Sequence, residues 1–381
     1  MNQVRKHHQD YWLSLAIFAL IAFGLIMIYS VSKYSSLQIT NEVTDKYYLI
    51  KQLKWLGIGV VIWAIFQNID YKFWQQKSSI LFYISFVLLL LPFLPFGHSG
   101  GSGARWFGFG SLQFQPSEVA KLTIILYLSS WFASKGESLK EISKMFGPFA
   151  LVIATVAILM LIQKDLGTLA VMIFISAAMF MMAGAPGYQL LTGGGLAAFL
   201  LWLSIKIEPY RMQRFLTFLN PEANSLGSGY HIKNALIAIG SGGLFGLGFG
   251  QSKQKYLYLP EAHTDSIFAI TCEELGLIRA SLIIIIFGFV ALRGYKIALR
   301  SQDPFARLVA TGITTWILAQ MLINIGAMLS LLPLTGVPLP FVSYGGSSLV
   351  ILLAAVGILI NISKNQLSPS GGNHYSHKKK I

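Results

Sequence analysis

The chain has 381 residues, 54% of them hydrophobic and 12% charged, and a formal net charge of +14. Soluble domains carry about 25% charged residues, so this balance excludes an ordinary soluble enzyme and points to an integral membrane protein. The cations are scattered through connecting segments and the C-terminal tail, which excludes a nucleic-acid-binding face and fits topology signals and contact with anionic lipid.

A membrane-spanning helix needs roughly twenty mainly apolar residues. Ten stretches qualify, at about 13–31, 49–67, 79–96, 117–133, 147–163, 166–183, 188–206, 266–292, 305–331 and 342–362. The expected fold is an all-α polytopic membrane protein with ten transmembrane helices and a large outer loop between spans seven and eight. The first stretch, Leu13–Ser30, lacks a small-residue cleavage pattern and reads as a retained signal anchor. With the N-terminus in the cytoplasm, fifteen Lys and Arg fall on inner segments, among them Lys72, Arg293, Lys296, Arg300, Arg307 and Lys364. The short outer loops hold fewer, so both termini are placed inside. Residues 1–365 form one membrane domain, and 366–381, rich in Ser, Gly, His and Lys, read as a disordered cytoplasmic tail.

The first notable outer loop, about 97–116, is rich in glycine and aromatics around Arg105 and Trp106. It leads through Pro116 into a span whose Glu118 and Lys121, spaced i and i+3, share a face. An ionisable pair there is costly unless it is paired and turned inward. It either fixes the helix or lines a polar cavity. Asp165 sits in a tight turn and suits the N-cap of the sixth span. Gly193–Ala198 matches a relaxed dinucleotide pattern but lies inside an apolar span, so it carries no nucleotide reading.

The long loop, about 207–265, interrupts the apolar pattern. It offers Arg211, Arg214, Lys253 and Lys255 as anion contacts, arginine being suited to a diphosphate by its planar fork. A glycine run, Gly240 to Gly250, permits tight turns or close backbone approach. The loop ends Pro260-Glu261-Ala262-His263-Thr264-Asp265, directly before an apolar helix. Asp265 is a candidate general base at a membrane–water boundary, where partial burial would raise its pKa into a useful range. Glu273 and Glu274, two turns into the next span, need partners, which Arg279 or a cation on another helix could supply. A stiff loop near 332–341 leads to Ser343. Cys272 is the single cysteine and permits no internal disulfide. No His, Cys, Asp and Glu spacing resembles a protein zinc site, so no protein metal site is expected.

These segments together resemble the SEDS family (shape, elongation, division and sporulation). The match lies in Gly103-Ala104-Arg105-Trp106, Phe114-Gln115-Pro116-Ser117-Glu118, the turn from Gln163 to Thr168, Leu226-Gly227-Ser228-Gly229-Tyr230, Gly240 to Gly250, Leu259 to Asp265, Glu273-Glu274-Leu275-Gly276 and Pro340 to Ser348. Ala262 after Glu261 tilts the resemblance toward the FtsW-like division branch over the RodA-like elongation branch. The resemblance implies an inverting peptidoglycan glycosyltransferase of the cytoplasmic membrane. It would polymerise lipid II into undecaprenyl-diphosphate-linked glycan at the outer face of the septum, beside a class B penicillin-binding protein and other divisome proteins. It implies Asp265 as the catalytic residue, with Arg105, Trp106, Glu118, Lys121, Arg211, Arg214, His263 and Ser343 toward substrate. A divalent cation, Mg or Mn, is the one cofactor it admits. Lys164 stands where the family usually has proline, and Arg279 where a glycine is usual. A lipid II flippase and a non-catalytic scaffold are the competing readings.

Overall fold

The computed structural model describes residues 9–94, 97–100, 103–109, 112–135, 142–220, 227–256 and 258–365. The tail expected to be disordered lies outside them. The elements in chain order are α1 (Tyr11–Ile39), α2 (Tyr47–Phe66), α3 (Tyr71–Leu88), β1 (Gly97–Gly100), β2 (Gly103–Phe109), β3 (Leu112–Phe114), α4 (Pro116–Lys135), α5 (Ile142–Ile162), α6 (Leu166–Met182), α7 (Gly187–Ile207), α8 (Pro209–Leu219), α9 (Ser228–Gly242), α10 (Ile267–Arg300), α11 (Pro304–Met328) and α12 (Gly346–Lys364). Aspartates start several of them. Asp10, Asp70, Asp165 and Asp303 each accept a hydrogen bond from a backbone N–H in the first turn of α1, α3, α6 and α11. Such a cap satisfies donors that the helix itself leaves unpaired.

Each of the ten expected spans falls on a helix. Seven, namely α1, α2, α3, α7, α10, α11 and α12, are long and apolar enough to cross a membrane. The apolar part of α5 and the whole of α6 are shorter, and α4 carries Glu118, Lys121 and Lys135. The centre of the bundle is α11, buried along almost its whole length against α4, α6 and α10, together with α12, which packs on α2. By contrast, α7 buries only Gln189 and Ser204, which places that helix at the rim.

Both expected outer loops hold secondary structure. The first is an antiparallel meander, order β1-β2-β3, with Gly97 opposite Phe107 and Phe107 opposite Phe114. The second holds α8 and α9, and α9 packs along α10. The long loop expected between spans seven and eight thus contains two helices. The amphipathic α8 buries Arg211 and Thr217, and glycines gave α9 a loop-like composition.

The eighth span is also not one helix. α10 breaks at Gly276, where φ is 80° and ψ 168°. The chain after α9 threads into this break. The N–H groups of Leu247 and Gly248 donate to the carbonyls of Glu273 and Glu274, and those of Leu277 and Ile278 to the carbonyls of Gly243 and Leu244. Orphaned backbone groups are thereby paired inside the protein, which is the condition for irregular backbone at membrane depth. The glycines make this approach possible. A Cβ on Gly246 would run into the Glu274 carbonyl, and one on Gly276 into the Gly246 nitrogen. The glycine run of the sequence is therefore a plug for a broken helix.

The start of α1 and the end of α12 mark one end of the bundle. Asp10 pairs with Arg293 at 2.7 Å, and its backbone N–H donates to Ser363. Beyond the break at Gly276, α10 still runs 17 residues to Arg293, roughly 25 Å at 1.5 Å per residue. The start of α10, where Asp265 sits, is thus at the opposite end from Asp10 and Ser363.

Candidate active site

A cavity of about 390 Å³ opens at that opposite end, between α8, α9, the end of α11 and the loops before α10 and after α11. Asp265 and Glu261 come from one loop, Tyr210 and Arg214 from α8, His231 from α9, and Asn324 from α11. Asp265 is half-buried at the wall. Its main-chain carbonyl accepts from Asn324 Nδ2 at 2.8 Å, and a second hydrogen of the same amide goes to the Val337 carbonyl. The backbone of Gly336 lies against the carboxylate, so that a Cβ there would sit 3.3 Å from Oδ2.

The carboxyl of Asp265 is pushed up from 3.8 to about 7. Loss of water contact is the largest cause, the charge of Glu261 the next, and Arg105 and Arg214 pull the other way. A carboxylate with this pKa is a usable proton acceptor near neutral pH. Arg214 stacks over the Tyr210 ring at 4.6 Å and donates to the Leu334 carbonyl at 2.9 Å. Burial draws its pKa down, yet it remains the cation that lines the cavity beside Asp265.

The other expected site residues do different work. Arg105 donates to the carbonyls of Gln163 and Lys164, closing the C-terminal end of α5, while its charge still acts on Asp265 and Arg214. Trp106 is half-buried on β2 and does not line the cavity. Arg211 is spent on the carbonyls of Ser204 at 3.2 Å and Leu161 at 2.7 Å, so it ties α8 to α7 and α5 and does not reach substrate space. His263 is held by burial below its usual pKa and packs 4.1 Å from the Tyr48 ring, beside Tyr344. Ser343 donates to the Thr264 carbonyl and accepts from Leu339 N–H. Both residues pin the Asp265 loop from behind.

Glu118 and Lys121 form a buried pair at 2.8 Å on α4. Lys121 also donates to Gln320 at 3.2 Å and lies 4.9 Å from the Trp316 ring. Gln320 passes the connection on, donating to the Pro338 carbonyl at 2.9 Å. The pair thus supports the loop whose Gly336 faces Asp265, one turn of α11 away from Asn324. Asp165 caps α6 through Thr168 N–H, as the sequence suggested, and accepts from Gln115 at 3.3 Å. Lys164 has φ of 58°, a conformation closed to proline, and its carbonyl is the one that Arg105 grips.

Arg279 is not the partner of the two glutamates. It donates to the Phe245 carbonyl at 3.0 Å. Glu274 pairs with Lys255 at 2.9 Å and accepts from Ser30. Glu273 accepts from the Ser252 hydroxyl, Lys253 N–H and Gln254 N–H, holding the start of the segment that ends at Asp265. Lys255 is therefore committed inside the protein and is not an anion contact.

The chain matches the family model described as cell cycle protein, covering FtsW, RodA and SpoVE, over residues 11–368. The chain belongs to the FtsW/RodA/SpoVE family. It is 40% identical to stage V sporulation protein E of Bacillus subtilis, over 94% of this chain and 98% of that protein. It is 37% identical to the probable peptidoglycan glycosyltransferase FtsW of Geobacter sulfurreducens, over 95% and 97%. Among solved structures, one described as structural coordination of polymerization and crosslinking by a peptidoglycan synthase complex superposes with a TM-score of 0.77 at 26% identity, over 93% of this chain and 97% of that chain. The rod shape determining protein RodA of Thermus thermophilus follows at 0.69, also at 26% identity, over 94% and 98%.

Sequence reasoning gave no role to Glu261, His231, Tyr210 or Asn324. Glu261 stands inside the segment Leu259 to Asp265, and His231 directly follows Leu226 to Tyr230. Asn324 and Gln320 are two amides one turn apart in an apolar stretch of α11, and that spacing was the available signal.

Proposed function

We propose that this chain is an inverting peptidoglycan glycosyltransferase that polymerises lipid II at the outer face of the cytoplasmic membrane. The observation that carries the proposal is Asp265, a carboxyl of pKa about 7 in the wall of a cavity shared with Arg214. An acceptor sugar hydroxyl gives its proton to the Asp265 carboxylate as its oxygen forms the new bond to the anomeric carbon. The bond from that carbon to the lipid diphosphate breaks on the opposite side, and the diphosphate leaves with the electron pair. A diphosphate needs no acid to depart, so the two-carboxyl arrangement of glycosidases is unnecessary. Arg214, which lines the cavity, would offset the leaving charge, and the charge of Arg105 acts on the same site.

Among the described residues, no group of three or more His, Cys, Asp and Glu is placed to hold a metal. Glu261 and Asp265 are carboxylates on the cavity wall. Mg²⁺ is often bound by one or two carboxylates together with substrate phosphates. Asp265 takes the acceptor's proton on the side away from the leaving group, so a divalent cation such as Mg or Mn would come in with the diphosphate, with Glu261 as the carboxylate that would hold it, and would offset the leaving charge. We also propose the cellular setting that the resemblance implies: the division septum, both termini in the cytoplasm, and a class B penicillin-binding protein with other divisome proteins as partners. That Asp10 and Ser363 lie at the end opposite the cavity supports that orientation.

The test is purified full-length protein given lipid II in detergent, where no sidedness exists, alone and with its penicillin-binding partner. Glycan polymer from the wild type and none from Asp265→Asn supports the proposal. A flippase or a scaffold would make no polymer in either form.

A further inference from the structure

The residue next to the proposed base behaves unusually for its position. Ser266 is the N-cap of α10, a place where serine normally accepts a hydrogen bond from its own helix. Its side chain makes no such bond. Its hydroxyl instead donates to the Pro260 carbonyl at 2.9 Å, while its backbone N–H donates to the Glu261 carbonyl. These two bonds close the segment Pro260–Ser266 into a ring that carries Asp265 just before its closing point. Ser266 is fully buried.

Into this ring comes one side chain from another element. His231, one turn into α9, places Nε2 2.6 Å from the Ser266 oxygen. The hydroxyl hydrogen is already committed to Pro260, so the hydrogen of this contact belongs to the imidazole. That fixes the tautomer with Nε2 protonated and Nδ1 as the acceptor. Burial holds the ring neutral, its pKa drawn down to about 4 with Arg214 adding to the effect and Glu261 opposing it. His231 also lines the cavity with Asp265.

We propose that His231 is a positioning residue for Asp265, acting through the Ser266 hydroxyl to hold the base loop against α9. The inference rests on the glycosyl-transfer reading above and deepens it. A proton acceptor displaced by about 1 Å can lose on the order of a hundredfold in rate. A loosened carboxylate also regains water, so its pKa returns toward the ordinary range. The charges that act on it, Glu261, Asp165, Arg105 and Arg214, stay in place.

The experiment measures lipid II polymerisation as a function of pH for wild type, His231→Leu, His231→Gln, Ser266→Ala and Asp265→Asn, with melting temperatures alongside. His231→Leu and Ser266→Ala are expected to lower kcat by about ten- to a hundredfold, to change KM by less than about threefold, and to move the acidic midpoint below 7. The amide N–H of His231→Gln is expected to recover most of the turnover lost in His231→Leu. Ser266→Ala removes one oxygen and keeps the test open if the leucine variant fails to fold. Wild-type turnover and midpoint in Ser266→Ala overturn the proposal. So does a loss confined to KM, or lost turnover with an unmoved midpoint. Polymerisation by Asp265→Asn overturns the base assignment itself, and the role of His231 falls with it.

Discussion

Asp265→Asn is expected to stabilise the protein while abolishing polymerisation. The carboxyl titrates at about 7 in the folded state against an ordinary 3.8. The folded protein therefore binds more protons than the unfolded chain between those values, and stability falls as pH rises through that window. Below about pH 4 both states are protonated and nothing is lost. Above 7 the full cost is present. Three units at 1.36 kcal/mol each give an upper bound of about 4 kcal/mol, and the opening of the side chain to the cavity reduces this to about 2 kcal/mol. Asparagine keeps the shape and never ionises, so the variant escapes that cost. Domains of 150–250 residues shift by roughly 2–4 °C per kcal/mol, which makes the expected rise several degrees at pH 8. The assay is thermal unfolding in detergent at pH 8 and at pH 5, where most of the gap should close. A variant that melts below wild type at pH 8, or a gap of equal size at both pH values, refutes the reasoning that the carboxylate is held in an unfavourable site.

Three further outcomes follow from the same geometry. Glu261→Gln removes a like charge beside the base, so the acidic midpoint of the rate profile should move down from about 7, and an upward move would contradict the assignment. Lys255→Met leaves Glu274 buried without its cation and should cost about 3–5 kcal/mol, while the double variant Lys255→Met with Glu274→Met should recover most of that loss in a melting series; additive losses would mean that the two side chains are not coupled. Gly246→Ala brings a Cβ against the Glu274 carbonyl at φ of 84°, and overpacking and backbone strain together should cost about 2–4 kcal/mol, so an unchanged melting temperature would show that the segment does not plug the α10 break.

The apolar runs gave the helices and their order, because span length is set by the bilayer and is visible in composition. Asp265 and Arg214 were legible for a related reason, since charge is scarce in such a chain and its placement at a span end is informative. What escaped was geometry that depends on a second element. Arg211 and Arg214 are three residues apart on α8, yet one turns inward to the Ser204 and Leu161 carbonyls and the other to the cavity. Both were equal candidates as bare cations. For Glu274 the sequence names only Arg279, on the same helix, because local spacing is what a sequence displays, and leaves a cation on another helix without a number. The true partner, Lys255, reaches it only because the chain re-enters the helix break. Glycine density showed that something came close there, but not what.

The buried polar groups also bear on which chemistry this end of the bundle can perform. A transporter of a charged headgroup needs polar groups free to face a path through the bundle. Next to the cavity, Lys121 is already engaged by Glu118, Gln320 and the Trp316 ring, and Gln320 by Trp316 and the Pro338 carbonyl. Asn324 spends both amide hydrogens on the carbonyls of Asp265 and Val337. Freeing any of them for a passing diphosphate would strand a buried partner, at about 1–3 kcal/mol for each neutral group and more for a charge. Those same bonds fix the backbone on both sides of the Asp265 carboxylate. Groups committed in this way favour a rigid base at a surface cavity over a gated passage, and they explain why an ion pair on α4 bears on a reaction at the mouth of α10.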